Sequence, residues 1–147
     1  MIRKLSQDDL MNGFFECLKA LTIVGDIENN LEQSNNILNN LPKNINIYVY
    51  YDESSEYNEN NKVLGTATLL MEQKFIHNGG KVGHIEDVAI NKQYQGLGIG
   101  KKLILHCLDV AEKEGCYKTI LDCSEHNVIF YEKCGFKSKD IMMRYDH

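Results

Sequence analysis

The segment 84–114 constrains the fold more than any other part of the chain. It runs His84-Ile85-Glu86-Asp87-Val88-Ala89-Ile90, then 91–95, then Gly96-Leu97-Gly98-Ile99-Gly100-Lys101. Beyond it, Leu103, Ile104, Cys107, Leu108 and Ala111 fall on one apolar stripe of a helix over 98–114. Glu112, Lys113 and Glu114 make a solvated last turn, and Gly115 stands where a C′ glycine belongs. A strand must therefore feed, through a glycine-rich turn, the strongest helix in the chain. At a helix N-terminus the first backbone N–H groups lack partners and the macrodipole is positive. Glycines remove the Cβ atoms that would keep an anion from those donors, and Lys101 and Lys102 add charge. The segment reads as a pyrophosphate cradle. Two familiar cradles fail on spacing. A Walker A loop needs Gly at position 95 and Ser or Thr at 102, where the chain has Gln95 and Lys102; a dinucleotide fingerprint needs G-x-G-x-x-G, not G-x-G-x-G.

The remaining pattern predicts a single α/β domain over 1–147, with a mixed, mostly antiparallel central sheet and helices on both faces. Strands are expected at 2–4, 45–51, 63–73, 82–90, 117–123 and 136–145. Helices are expected from Ser6 to about Ala20, from Ile27 to Pro42, and over 127–134, the last ended by Gly135; 52–61 reads as a polar loop and Asn78-Gly79-Gly80 as a turn. Sixteen Lys+Arg against twenty-one Asp+Glu leave a net charge of −5, the wrong sign for binding nucleic acid through its phosphates. No apolar run approaches ~18 residues, so no membrane span is expected, and the first residues lack a signal-like apolar stretch. Five cysteines in no C-x-x-C pair point to reduced thiols in the cytoplasm and to no metal.

Gln95-Gly96-Leu97-Gly98-Ile99-Gly100 resembles the Q/R-x-x-G-x-G/A acetyl-CoA loop of the GNAT N-acetyltransferases. Glu86-Asp87-Val88, Gly115-Cys116-Tyr117-Lys118, Leu121-Asp122-Cys123 and the run 127–136 are similar to the eukaryotic glucosamine 6-phosphate N-acetyltransferases within that family. Lys74-Phe75-Ile76-His77 and Gly13-Phe14-Phe15 with Leu21-Thr22 extend the likeness over nearly the whole chain. It implies a GNAT fold, acetyl-CoA as co-substrate, acetylation of the 2-amino group of D-glucosamine 6-phosphate on the way to UDP-N-acetylglucosamine, and a homodimer with its sugar sites near the subunit interface.

The same resemblance distributes roles. Acetyl-CoA falls to Val88, Ala89, Ile90, Gln95, Gly96, Leu97, Gly98, Ile99, Gly100, Lys101, Asn127 and Tyr131, with a backbone N–H near Val88 facing the thioester oxygen. Tyr131 is the candidate general acid for the departing thiolate. Glu86 is the candidate for accepting or relaying the amine proton, a solvent relay being the alternative. Strand alternation puts Glu86 and Asp87 on opposite faces, leaving Asp87 to hold sugar through its backbone. Asp122 can orient the amine or a hydroxyl. Lys74, His77 and Lys118 supply charge for the phosphate, with Thr22 and Tyr117 lining the site. Some members carry a basic residue near the chain end where this chain has Asp146; Arg144 stands nearby. Tyr131 is also a plausible core aromatic, and Asn127 a plausible N-cap. A GNAT for another amine, a protein lysine or a polyamine, and a non-catalytic acyl-CoA sensor are the competing readings.

Overall fold

The computed structural model describes residues 1–51, 53 and 61–147, so the expected loop at 52–61 lies almost wholly outside the described residues. Five strands, β1 (Ile2–Lys4), β2 (Ile45–Tyr51), β3 (Val63–Gln73), β4 (Lys81–Ile90) and β5 (Cys116–Ile120), form one sheet in that order. Pairing is antiparallel from β1 to β4, and β5 runs parallel to β4. The parallel step follows from the crossover through α5 (Ile99–Lys113), as a strand–helix–strand unit requires.

Period-two alternation sends side chains to two cores. On one face Leu103, Ile104 and Cys107 of α5 pack on Tyr48, Ala67, Leu69 and Ile85. On the other, Leu10 of α1 (Gln7–Leu10) and Phe14, Phe15 and Cys17 of α2 (Phe14–Leu18) pack on Val49, Val63 and Ala89. Both central thiols are sealed in, and burial pushes Cys17 and Cys107 up to about 12.

Five expected elements differ. The first helix breaks at Gly13, which adopts φ 100°; a Cβ there would come within 2.5 Å of the Val63 carbonyl oxygen, so glycine lets the chain turn tightly against β3. The second resolves into a 3₁₀ turn, Asp26–Asn29, and α3 (Leu31–Asn39), because the Asn30 side chain accepts from the Gln33 N–H and restarts the helix. The helix expected at 127–134 is a 3₁₀ turn, Glu125–Asn127, followed by α6 (Val128–Glu132). β5 stops at Ile120, and no strand forms at 136–145. A strand exists only by pairing, and this tail finds no strand partner among the described residues: Ile141, Met143 and Tyr145 are 87%, 88% and 82% exposed.

The N-terminus is fastened by a buried carboxylate. Asp9, 1% exposed, accepts from both Arg3 guanidinium nitrogens at 2.5 and 2.7 Å and from the Ser6 N–H and hydroxyl at 2.8 and 2.7 Å. Burial alone would raise its pKa, but these four bonds hold it below the usual carboxylate range. Such a group stabilises the fold above the unfolded value, about 3.9, and that contribution is lost as pH falls through the lower folded value. Asp9→Asn is expected to cost about 2 kcal/mol at pH 7 in urea unfolding, a deficit that shrinks below about pH 4. A deficit independent of pH would refute the assignment.

Candidate active site

The site lies where β4 outruns its neighbour. Pairing of β4 with β5 ends at His84 opposite Ile120, whereas β4 stays paired with β3 through Ile90. Residues 85–90 therefore border a gap at the C-terminal ends of the two parallel strands, the usual ligand position in such sheets. The α5 N-terminus opens at the same end.

Within this stretch the ladder slips between Thr66 and Thr68, opposite Glu86 to Ala89, and Asp87 takes a left-handed φ of 50°. Simple alternation is thus broken at Asp87, and Glu86 and Asp87 are not the opposed pair expected of a regular strand; both are exposed beside the gap. Desolvation raises the pKa of Glu86, and the carboxylates of Asp122 and Asp87 push the same way, with His84 opposing. Three acids from β4 and the segment after β5 hence share one field.

Gly96 and Gly98 adopt φ of 81° and 77°, and a Cβ on either would meet nothing within 4 Å: the glycines serve the backbone, and the space beside them is open. The first α5 bond runs from the Lys102 N–H to the Gly98 carbonyl at 3.1 Å, so the amides of Ile99, Gly100 and Lys101 precede the helical ladder. Gln95 Nε2 donates to the Ile90 carbonyl at 3.2 Å and ties this loop to the end of β4. Leu97 and Lys101 are exposed beside it. The donor set and the room suit a pyrophosphate.

Tyr131 lies on α6, half-buried, with ring centroids 4.9 Å from Phe130 and 6.1 Å from Phe136. Burial raises its pKa, and Cys123, Cys134 and Asp122 add to the rise. The phenol is therefore held protonated and shares Asp122 with Glu86. Asn127 stands at the N-cap of α6 but makes no side-chain cap; its Nδ2 donates to Ser124 Oγ at 3.3 Å.

The other candidates collect around the β3–β4 turn, Ile76–Gly79 (α4), where His77 takes φ 51°. His77 stacks on Tyr117 at 4.1 Å, and Lys118 Nζ lies 5.8 Å from the Tyr117 ring centroid. Lys74 Nζ donates to Glu72 Oε1 at 2.5 Å, and Glu72 Oε2 is 2.8 Å from His84 Nε2. Glu72 and His84 belong to no motif of the sequence and meet only through the hairpin register, in which Glu72 faces Val82 and His84 faces Leu70. Thr22 is exposed just beyond α2, its N–H on the Leu18 carbonyl at 3.0 Å. Arg144 is tied to Asp146 by bonds of 2.7 and 2.6 Å on the exposed tail. Among the described residues, no group of three or more His, Cys, Asp or Glu is arranged to hold a metal, and no helix is long and apolar enough to cross a membrane.

A family model described as "Acetyltransferase (GNAT) family" matches residues 27–136. The chain belongs to the GNAT acetyltransferase family. Within it, the chain is 38% identical over 143 residues to the glucosamine 6-phosphate N-acetyltransferase of Arabidopsis thaliana, covering 97% of this chain and 93% of that protein. It is 42% identical over 142 residues to the enzyme of the same name from Candida albicans, covering 96% and 91%. A crystal structure of glucosamine-6-phosphate N-acetyltransferase from Arabidopsis thaliana superposes with a TM-score of 0.86 at 37% identity, covering 99% of this chain and 97% of that one. The GNAT fold expected from the sequence, a mixed, mostly antiparallel sheet, is present.

The shared field of the acids can be read directly. Removing the Asp122 charge in Asp122→Asn lowers the titration midpoint of Glu86, followed by carboxyl NMR. An unmoved midpoint would show that the two carboxylates do not sense each other.

Proposed function

We infer that the protein transfers the acetyl group of acetyl-CoA to the 2-amino group of D-glucosamine 6-phosphate, releasing CoA and N-acetyl-D-glucosamine 6-phosphate, in UDP-N-acetylglucosamine biosynthesis. One observation carries the reading. An acid cluster, a protonated phenol and a glycine-opened helix end meet where β4 and β5 part, in a chain whose near-full-length relatives bear that enzyme's name.

Acetyl-CoA supplies the activated acyl group. The amides of 95–101 receive its pyrophosphate, and the edge of Val88, Ala89 and Ile90, which no strand of this sheet pairs on the β5 side, runs beside its pantetheine arm. The N–H of Val88 donates to the thioester oxygen as charge builds there, a donor worth about 3 kcal/mol. Asn127, freed from capping duty, helps hold the same ligand. Glu86 accepts or relays the amine proton; its upward-shifted pKa brings it nearer the working pH and makes it a stronger base than an ordinary carboxylate. Tyr131, kept protonated by its surroundings, gives its proton to the departing thiolate. Asp122 orients the amine between them, and Asp87 holds sugar through its strained backbone. Lys74, His77 and Lys118 take the phosphate, with Tyr117 and Thr22 as walls; Arg144 joins them only by leaving Asp146.

The 147 residues act as one catalytic domain and as a homodimer in the cytoplasm, with the sugar sites near the interface. The exposed apolar tail supports the dimer, since Ile141, Met143 and Tyr145 lack cover from their own chain. The free state of all five cysteines fits a reducing compartment.

The test is thiol release from acetyl-CoA with glucosamine 6-phosphate, glucosamine or a lysine peptide as acceptor. Turnover is expected with the phosphorylated sugar in strong preference. Preference for the peptide would overturn the substrate, and acetyl-CoA binding without release on any amine would replace the enzyme with a sensor. Tyr131→Phe is expected to lower kcat about a hundredfold while the KM for acetyl-CoA stays within about twofold; an unchanged kcat removes its acid role. Sedimentation of the active preparation should give twice the 16.9 kDa chain mass, and a monomer would refute the dimer.

A further inference from the structure

We propose that Glu72 is a positioning residue that sets selectivity for the phosphorylated sugar by holding the Lys74 ammonium beside His84, within reach of a substrate whose amine lies at Glu86. The inference rests on the reading of the site as a sugar-phosphate acetyltransferase and deepens it.

Thr68 of β3 faces Glu86 of β4, and Lys74 follows Thr68 by six residues, a backbone separation of about 20 Å at the usual strand rise. A hexosamine phosphate cannot bridge that gap, so a lysine extending away from the strand at position 74 could not serve a phosphate whose sugar sits at Glu86. The side chain does not extend away. Its Nζ is drawn back to Glu72 Oε1 at 2.5 Å, while Oε2 of the same carboxylate is 2.8 Å from His84 Nε2. The ammonium and the imidazole nitrogen are therefore separated by no more than one carboxylate and two hydrogen bonds.

Register places these groups on one face. His84 is opposite Leu70 and Glu72 opposite Val82, so Glu72 and His84 are diagonal neighbours across the hairpin, and His84 precedes Glu86 by two residues in an unbroken part of the ladder. Lys118 is opposite Val82 on the other side of β4 and shares that face. A row thus runs from Lys74 through Glu72 and His84 to Glu86. The Lys74 bond, and after it the His84 bond, hold the Glu72 carboxyl below its usual range, so the group is ionised and only accepts. His84 must then carry its proton on Nε2, which fixes the ring.

A free lysine at this position would have to be ordered by each incoming phosphate, and its long side chain makes that ordering costly. Glu72 meets the cost in advance, and two Lys74 protons remain for the ligand. Glu72 acts through Lys74 and need not touch substrate.

The test measures kcat/KM for glucosamine 6-phosphate and for glucosamine in wild type, Glu72→Gln, Lys74→Met and the double variant, with KM for acetyl-CoA and thermal melting as controls. Glu72→Gln is expected to raise KM for the phosphorylated sugar about tenfold and to reduce the preference for it by a similar factor, with acetyl-CoA KM and melting unchanged. In the Lys74→Met background the same change should have no further effect on preference. The proposal is overturned if preference is unchanged in Glu72→Gln, if KM for the phosphorylated sugar falls, or if the loss persists without Lys74. Failure of the wild type to prefer the phosphorylated sugar overturns the enzymatic reading beneath it, an outcome seen before any variant is made.

Discussion

The structure depends on the unequal pairing of β4. One edge of this strand is satisfied along nearly its whole length by β3, while the other is met by β5 only as far as His84. The long antiparallel ladder makes the strand rigid enough to carry unpaired backbone on its far side, a state that a lone strand would not hold. The acids, the glycine turn and Tyr131 are arranged around that open edge. The crossover helix starts where β4 ends, because Gly98 turns the chain into α5, and α6 closes the other wall with Tyr131.

Charge is sorted along the β3–β4 hairpin. At the open end Glu86, Asp87 and Asp122 crowd together, and the mutual repulsion, added to desolvation, raises the proton affinity of Glu86. Toward the hairpin, the hydrogen bonds of Lys74 and then His84 move Glu72 the other way. Two carboxylates on one hairpin thus differ in proton affinity by virtue of their neighbours, Glu86 raised and Glu72 lowered. The helix end adds a third field, positive and made only of backbone.

Much of this was legible in the residues. β2 and β3 begin and end where alternation and polar flanks place them, and Gly115 takes φ 80° at the end of α5 as a C′ glycine should. The glycine turn, the acids and Tyr131 stand out in the sequence because local chemistry and the family motif mark the same positions. What escaped depends on contacts that no local pattern carries. The break at Gly13 follows from the approach of Val63, fifty residues away in sequence; the slip at Asp87 belongs to the pairing of two strands rather than to either one. Glu72 and His84 are twelve residues apart and become neighbours only once the hairpin register is known.

The unpaired tail has a consequence of its own. In the proposed dimer, Ile141, Met143 and Tyr145, bare on one chain, tie the final part of folding to encounters between molecules, so dilution enters the stability of the native state as mass action. On that proposal a newly made chain carries a sticky, strand-prone end until it meets another copy.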